Sequence, residues 1–168
     1  MGVNSTLYNL VLVLHLVAVV VGFGTVFLNG AYGAQAKRRP GPGGLAIGEA
    51  TYAVTKTAEY AIYAVPVFGI LLVVLSDDAW EFSQLWISLS FLLYFIGIGL
   101  FRGMLTPAAR RLNALAGELV GAAPAGGGGR PPQVTEMEAL EKRLAVGGTI
   151  LNLIVVAVIA LMVFKPGL

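Results

Sequence analysis

An all-α, four-helix membrane protein is the fold class this sequence predicts, and three observations carry the prediction. Of 168 residues, 57% are hydrophobic and only 12% charged. With a mean hydropathy of +0.82, the chain lies outside the usual range of soluble domains. The apolar residues gather in four blocks, each long enough to supply the ~20 helical residues that cross a hydrocarbon core of ~30 Å. Lysine and arginine cluster in or beside two of the three connections between those blocks, the pattern of a chain that keeps its cations on one side of a membrane.

Helix 1 is expected from about Ser5 to Ala36 and ends in "AKRRPGPGG", where three consecutive charges precede Pro40 and Pro42, residues that cannot continue a helix interior. Its N-terminal flank "MGVNSTLYNL" lacks the basic residues of a cleavable signal, so the helix is expected to be retained. Helix 2 is expected from about Gly48 to Leu75. Tyr52, Lys56, Glu59 and Tyr63 recur there at intervals of four, three and four, which sets them on one helical face. Pro66 lies in the apolar half of the same helix and removes one backbone hydrogen bond.

The turn "SDDAWEFSQLW" follows, with Trp80 and Trp86 flanking Glu81. Amphipathic indoles favour the headgroup level, so the turn marks a membrane interface. Helix 3 is expected from about Phe82 to Leu115. The Gly/Pro composition of residues 116–134 then reads as a flexible linker. Helix 4 is expected from Thr135, where Thr135 and Glu138 match a capping box, to Phe164. The whole chain, 1–168, reads as a single membrane domain.

Of the eleven basic residues only Lys165 lies away from the first and third connections. Because lysine and arginine are retained in the cytoplasm, both termini and the Asp77/Asp78 turn are expected outside. Gly99 and Gly103 have GxxxG spacing, Gly22, Gly24, Gly30 and Gly33 lie in helix 1, and Gly147 and Gly148 lie in helix 4. Small residues let helix backbones approach closely where lipid supplies no hydrophobic drive, so these are expected at helix contacts.

The chain has no cysteine, which removes disulfides, thiolate metal sites and cysteine nucleophiles. A sequence pI near 9.0 reflects topology rather than a nucleic-acid partner, since the net charge is only +2. "AGGGGR" lacks the lysine and serine of a phosphate-binding loop and follows no strand. The four methionines are scattered, giving no copper pattern. No catalytic or metal-ligating set is assigned.

His15, the single histidine, stands some eight residues inside helix 1, a depth of about 12 Å. A ligand to haem b, a copper ligand or a proton relay are its functional readings. The structural alternative is a neutral imidazole hydrogen-bonded to Asn152 of helix 4. Lys56 and Glu59 are close enough to pair. With Tyr52, Tyr63 and Asn152 they form a candidate interior polar cluster, or else Lys56 snorkels to headgroups. Arg102 is in reach of Glu59, but the expectation is that it snorkels with Arg110 and Arg111.

"LYNLVLVLHLVAVVVGFG", "SQLWISLSFLLYFIGIGL" with "TPAARRLNAL", and "ALMVFKPG" together resemble the bacterial predicted integral membrane proteins called domain of unknown function 2269. That resemblance covers nearly the whole chain and implies four helices and an inner-membrane location, with no activity attached. Helix 1 is also distantly similar to the haem-associated protoporphyrinogen oxidase and copper-resistance D families. Leu14 and His15 match their histidine motif and Gly22 and Gly24 roughly match their glycines, whereas the tryptophan and any second histidine are missing. For a haem on His15, that resemblance makes Lys56 the candidate second axial donor.

The sequence therefore leads to a small, non-catalytic structural or accessory component of the bacterial plasma membrane. Its expected partners are the lipid bilayer and a homo-oligomer or larger membrane complex. A haem b protein built on His15 is the alternative. A small oligomeric transporter lined by Tyr52, Lys56, Glu59 and Asn152 is the third reading.

Overall fold

The computed structural model describes residues 2–122 and 132–167. Every regular element among them is helical: α1 (Thr6–Arg38), α2 (Pro42–Val74), α3 (Leu85–Leu100), a π-helical turn (Phe101–Leu105), α4 (Thr106–Gly121) and α5 (Pro132–Phe164). The α3, π and α4 segments form one continuous span, so four helices are long and apolar enough to cross a membrane. At 33 residues α1 is about 50 Å long, more than the ~30 Å of hydrocarbon requires. The excess accommodates the polar sequence at the helix ends.

The observed ends correct several expected ones. α2 starts at Pro42, not Gly48, because proline's missing N–H is harmless in a first helical turn and its φ is already helical. The reversal before it uses Gly41 at φ +79°, which a Cβ would disfavour. Gly44 lies so close to the Ala36 and Arg39 carbonyls that a Cβ would sit 2.6 and 2.4 Å from them. α4 continues to Gly121 and α5 is already helical at Pro132, so both ends of the expected 116–134 linker are helix. Thr135 lies inside α5 and does not cap it. The middle of that linker, 123–131 with Arg130, lies outside the described residues.

Three segments converge at what we call the terminal end. Ser76 Oγ donates to the Val73 carbonyl at 2.8 Å and accepts Trp80 N–H at 3.0 Å, closing the turn after α2. Trp80 Nε1 donates to Tyr8 Oη at 3.0 Å, and Lys165 Nζ stands 3.7 Å above the Trp80 ring, a cation–π contact. Trp80 and Trp86 meet edge to face at 5.5 Å. The two chain ends and the acidic turn therefore share one end of the bundle, and the cationic connections occupy the other, basic end.

α1 packs most extensively on α2, and α5 packs on α3 and α4. The two pairs meet at a central apolar layer of Val26, Ile62, Phe101, Leu105 and Leu151. Gly22 makes α1's close approach: a Cβ there would lie 2.8 Å from Ile62 Cγ1 and 3.0 Å from Ile62 N. Gly147 does the same for α5 against Met104 and Leu105. Gly24, Gly30, Gly33, Gly99, Gly103 and Gly148 face open space, so the GxxxG pair expected at a helix contact makes none within this chain. Many Leu and Val side chains, among them Val17, Val20, Leu153 and Val156, are exposed on the outer faces, as befits helices solvated by lipid.

Candidate functional site

Above and below the central layer the bundle is hollow. Val26, Phe101 and Leu151 line both hollows and so separate them. The cavity toward the terminal end measures about 390 Å³ and is walled by all four spans, with Phe23, Trp86, Phe91 and Tyr94 as aromatic surfaces. The cavity toward the basic end is larger, about 1090 Å³, and mixes apolar with polar side chains.

His15 lines the smaller cavity and is 5% exposed. Its Nδ1 donates to the Val65 carbonyl of α2 at 3.0 Å, so the expected bond to Asn152 is not formed. The physical reason is position: His15 lines the smaller cavity, whereas Asn152 lines the other one. Pro66 adds a second tie on the same turn of α2. Lacking an N–H, Pro66 cannot bond the Ile62 carbonyl, and that oxygen is taken instead by Tyr94 Oη of α3 at 3.2 Å. The Val65 and Ile62 carbonyls thus fasten α1 and α3 to one turn of α2. Gly69 packs beside the imidazole, where a Cβ would be 3.5 Å from His15 Cε1.

With Nδ1 donating to a carbonyl, the neutral ring has its acceptor lone pair on Nε2, and Nε2 has no hydrogen-bond partner among the described residues. A second-sphere carbonyl that fixes ring and tautomer is the usual support of a metal-ligating histidine. Cavities of roughly 300–1,000 Å³ are the size that takes small molecules and cofactors. The aromatic walls and Lys165 at the rim suit a flat apolar macrocycle with acidic substituents. Lys56 is no second axial donor: it lines the other cavity and is bonded to Glu59.

Glu59, 3% exposed, is the centre of a second cluster. Lys56 Nζ donates to its Oε2 at 2.5 Å, while Tyr63 Oη and Arg102 Nη1 both donate to its Oε1. The stripe read from the sequence is therefore a bonded set for Lys56, Glu59 and Tyr63, and Arg102 joins it instead of only snorkelling. The π turn carries Arg102 and puts Phe101 into the central layer and Arg102 onto Glu59. Tyr52 and Asn152 stand apart from the cluster and line the larger cavity with Lys56. Asn152 Oδ1 is buried with no hydrogen-bond partner among the described residues.

At the basic end Arg111 pairs with Glu136 through two bonds of 2.8 and 3.1 Å, and Lys37 pairs with Glu141 at 2.8 Å. The sequence did not single out these ties across elements. Opposite charges on neighbouring helix ends were their only signal. No group of three or more His, Asp or Glu side chains that could hold a metal comes together among the described residues.

Comparison with known proteins finds no match among curated proteins and none among solved structures. The model of one family, described as predicted integral membrane protein (DUF2269), matches residues 9–166. With its four apolar spans and nearly full-length match, the chain belongs to that family of predicted integral membrane proteins.

Proposed function

We propose that this chain is a small, non-catalytic accessory protein of the bacterial plasma membrane, with both termini outside, that holds haem b in its terminal-end cavity through His15. The distribution of cations supports the orientation, since among the described lysines and arginines only Lys165 lies at the terminal end. One observation carries the ligand: a buried imidazole, oriented by the Val65 carbonyl, lines an aromatic cavity with Nε2 unengaged. When bound, haem would supply one-electron chemistry or an open iron coordination position. His15 would be its proximal ligand and Lys165 the cation nearest its propionates.

The test is the visible spectrum of detergent-purified protein from haem-replete cells, oxidised and dithionite-reduced. A Soret band that shifts on reduction, disappears in His15→Ala and returns when imidazole is added to that variant is the expected result. A featureless wild-type spectrum rejects haem and leaves His15 as a packing group between α1 and α2.

A second reading, an interaction component without a cofactor, is favoured by the open glycines. Gly99 and Gly103, one turn apart on the α3 and π segments, have nothing within 4 Å of a built Cβ. They leave room for a helix from outside the chain. Cross-linking in membranes is expected to trap a partner or a second copy, and Gly99→Leu with Gly103→Leu to abolish the product.

A further inference from the structure

The Glu59 cluster has a charge left over. Lys56 and Arg102 bring two positive charges to one buried carboxylate, and Glu59 is 4% exposed at its side chain against 42% and 53% for its partners. Both cations thus bond inward to Glu59 with part of the side chain while the rest stays exposed, Lys56 at the lining of the larger cavity and Arg102 outside it. Tyr60, the neighbour of Glu59, is 78% exposed, and Tyr63 reaches the same carboxylate.

Depth identifies what lies outside. Lys56 is about 27 Å along α2 from Val74, and Arg102 about 26 Å along the third span from Leu85, at 1.5 Å per residue. Against a hydrocarbon thickness of ~30 Å, both routes place the cluster just inside the headgroup boundary at the basic end. Tyrosines favour this level, and a charge on the bundle flank there meets lipid phosphates.

We propose that Lys56 and Arg102 form a binding site for the phosphate of an anionic phospholipid in the leaflet at the basic end. Glu59 and Tyr63 are positioning residues: the buried carboxylate holds the two cations side by side, and the phosphate neutralises the remaining charge. Arg102 offers a planar fork suited to phosphate oxygens and Lys56 a point charge. Among the described residues, the one carboxylate bonded to these cations is already committed to three donors.

Native mass spectrometry of the full chain in detergent tests this, with dioleoyl phosphatidylglycerol, dioleoyl phosphatidylcholine or inorganic phosphate added. Phosphatidylglycerol adducts are expected to survive at least fivefold better than phosphatidylcholine adducts. Lys56→Gln and Arg102→Gln should each reduce retention by about fivefold, the worth of one cation near a lipid surface. Each variant leaves Glu59 paired with the other cation. Arg143→Gln, which removes an exposed charge elsewhere on α5, should leave retention unchanged. Displacement of the lipid by excess inorganic phosphate would keep the phosphate site but make free phosphate its ligand. Equal retention of the two lipids by the wild-type chain, or a dimer that excludes lipid, would overturn the proposal whatever the variants do.

Discussion

The terminal-end and basic-end halves of this bundle handle buried polarity in opposite ways. Around His15 one neutral imidazole bonds a single backbone carbonyl and lines a cavity with aromatic walls, where Lys165 is the one charged side chain among the described lining residues. Around Glu59 a carboxylate is held by two cations and a phenol, and salt bridges tie the helix ends beyond it. The difference follows from depth. Deep in hydrocarbon a charge has no water to return to, so polar groups there must be neutral and bonded to backbone. Near headgroups the cations of such a pair retain access to water and lipid phosphate even where the carboxylate is buried.

If depth sets these rules, Glu59→Leu should produce the largest effect. It removes the acceptor of three donors at once and leaves Lys56 and Arg102 adjacent. Breaking a buried pair from one side typically costs several kcal/mol, and the headgroup access of both cations reduces this to about 2–3 kcal/mol. The expected outcome is a marked fall in thermal midpoint in detergent, smaller in Glu59→Gln, which still accepts from Tyr63 and Arg102. Equal midpoints for wild type and Glu59→Leu would show that the cluster contributes nothing to folding.

Gly22→Val comes next. Its Cβ would press on the Ile62 backbone, which cannot turn aside as a side-chain tip can, and overpacking of this kind costs about 1–3 kcal/mol. Gly30→Val places the same side chain on the same helix in open space and should leave the midpoint unchanged. Two equal losses would mean that helix propensity, not the α1–α2 contact, is responsible.

Tyr94→Phe sharpens the comparison at the terminal-end side. It deletes the hydroxyl that satisfies the Ile62 carbonyl beneath Pro66, with an expected loss of about 1 kcal/mol. The companion substitution Pro66→Ala restores an N–H at that turn. In that background Tyr94→Phe should cost clearly less, since the carbonyl regains a helical partner. An undiminished cost would mean that the tyrosine acts through packing alone.

The four spans were legible because hydrocarbon thickness imposes a length, and the Lys56–Glu59–Tyr63 set because helical periodicity imposes a face. What could not be read from side chains depended on the backbone. His15 took a carbonyl of α2, not the amide of Asn152, and no residue letter advertises a carbonyl. Pro66 signalled only the Ile62 carbonyl that Tyr94 takes, since its missing N–H leaves that one ladder bond open. Pro42 was read as a stop and Pro132 as part of a linker, although proline begins helices as readily as it ends them. Gly99 and Gly103 carried the spacing of a contact motif, but spacing does not say whether the facing helix belongs to the same chain.

The smallest effect is expected where the structure draws its most regular ion pair. Arg111 and Glu136 make two bonds between α4 and α5, yet their side chains are about half exposed. Water screens their attraction, and holding two long side chains in one geometry opposes it. Arg111→Gln, Glu136→Gln and the double variant should therefore unfold within error of one another at physiological ionic strength. A coupling that appears only at low salt fits a surface pair, because the screening length then exceeds the separation of the charges. A coupling that persists in high salt would instead show the α4–α5 end shielded from water, and the basic end would then follow the rule of the His15 cavity.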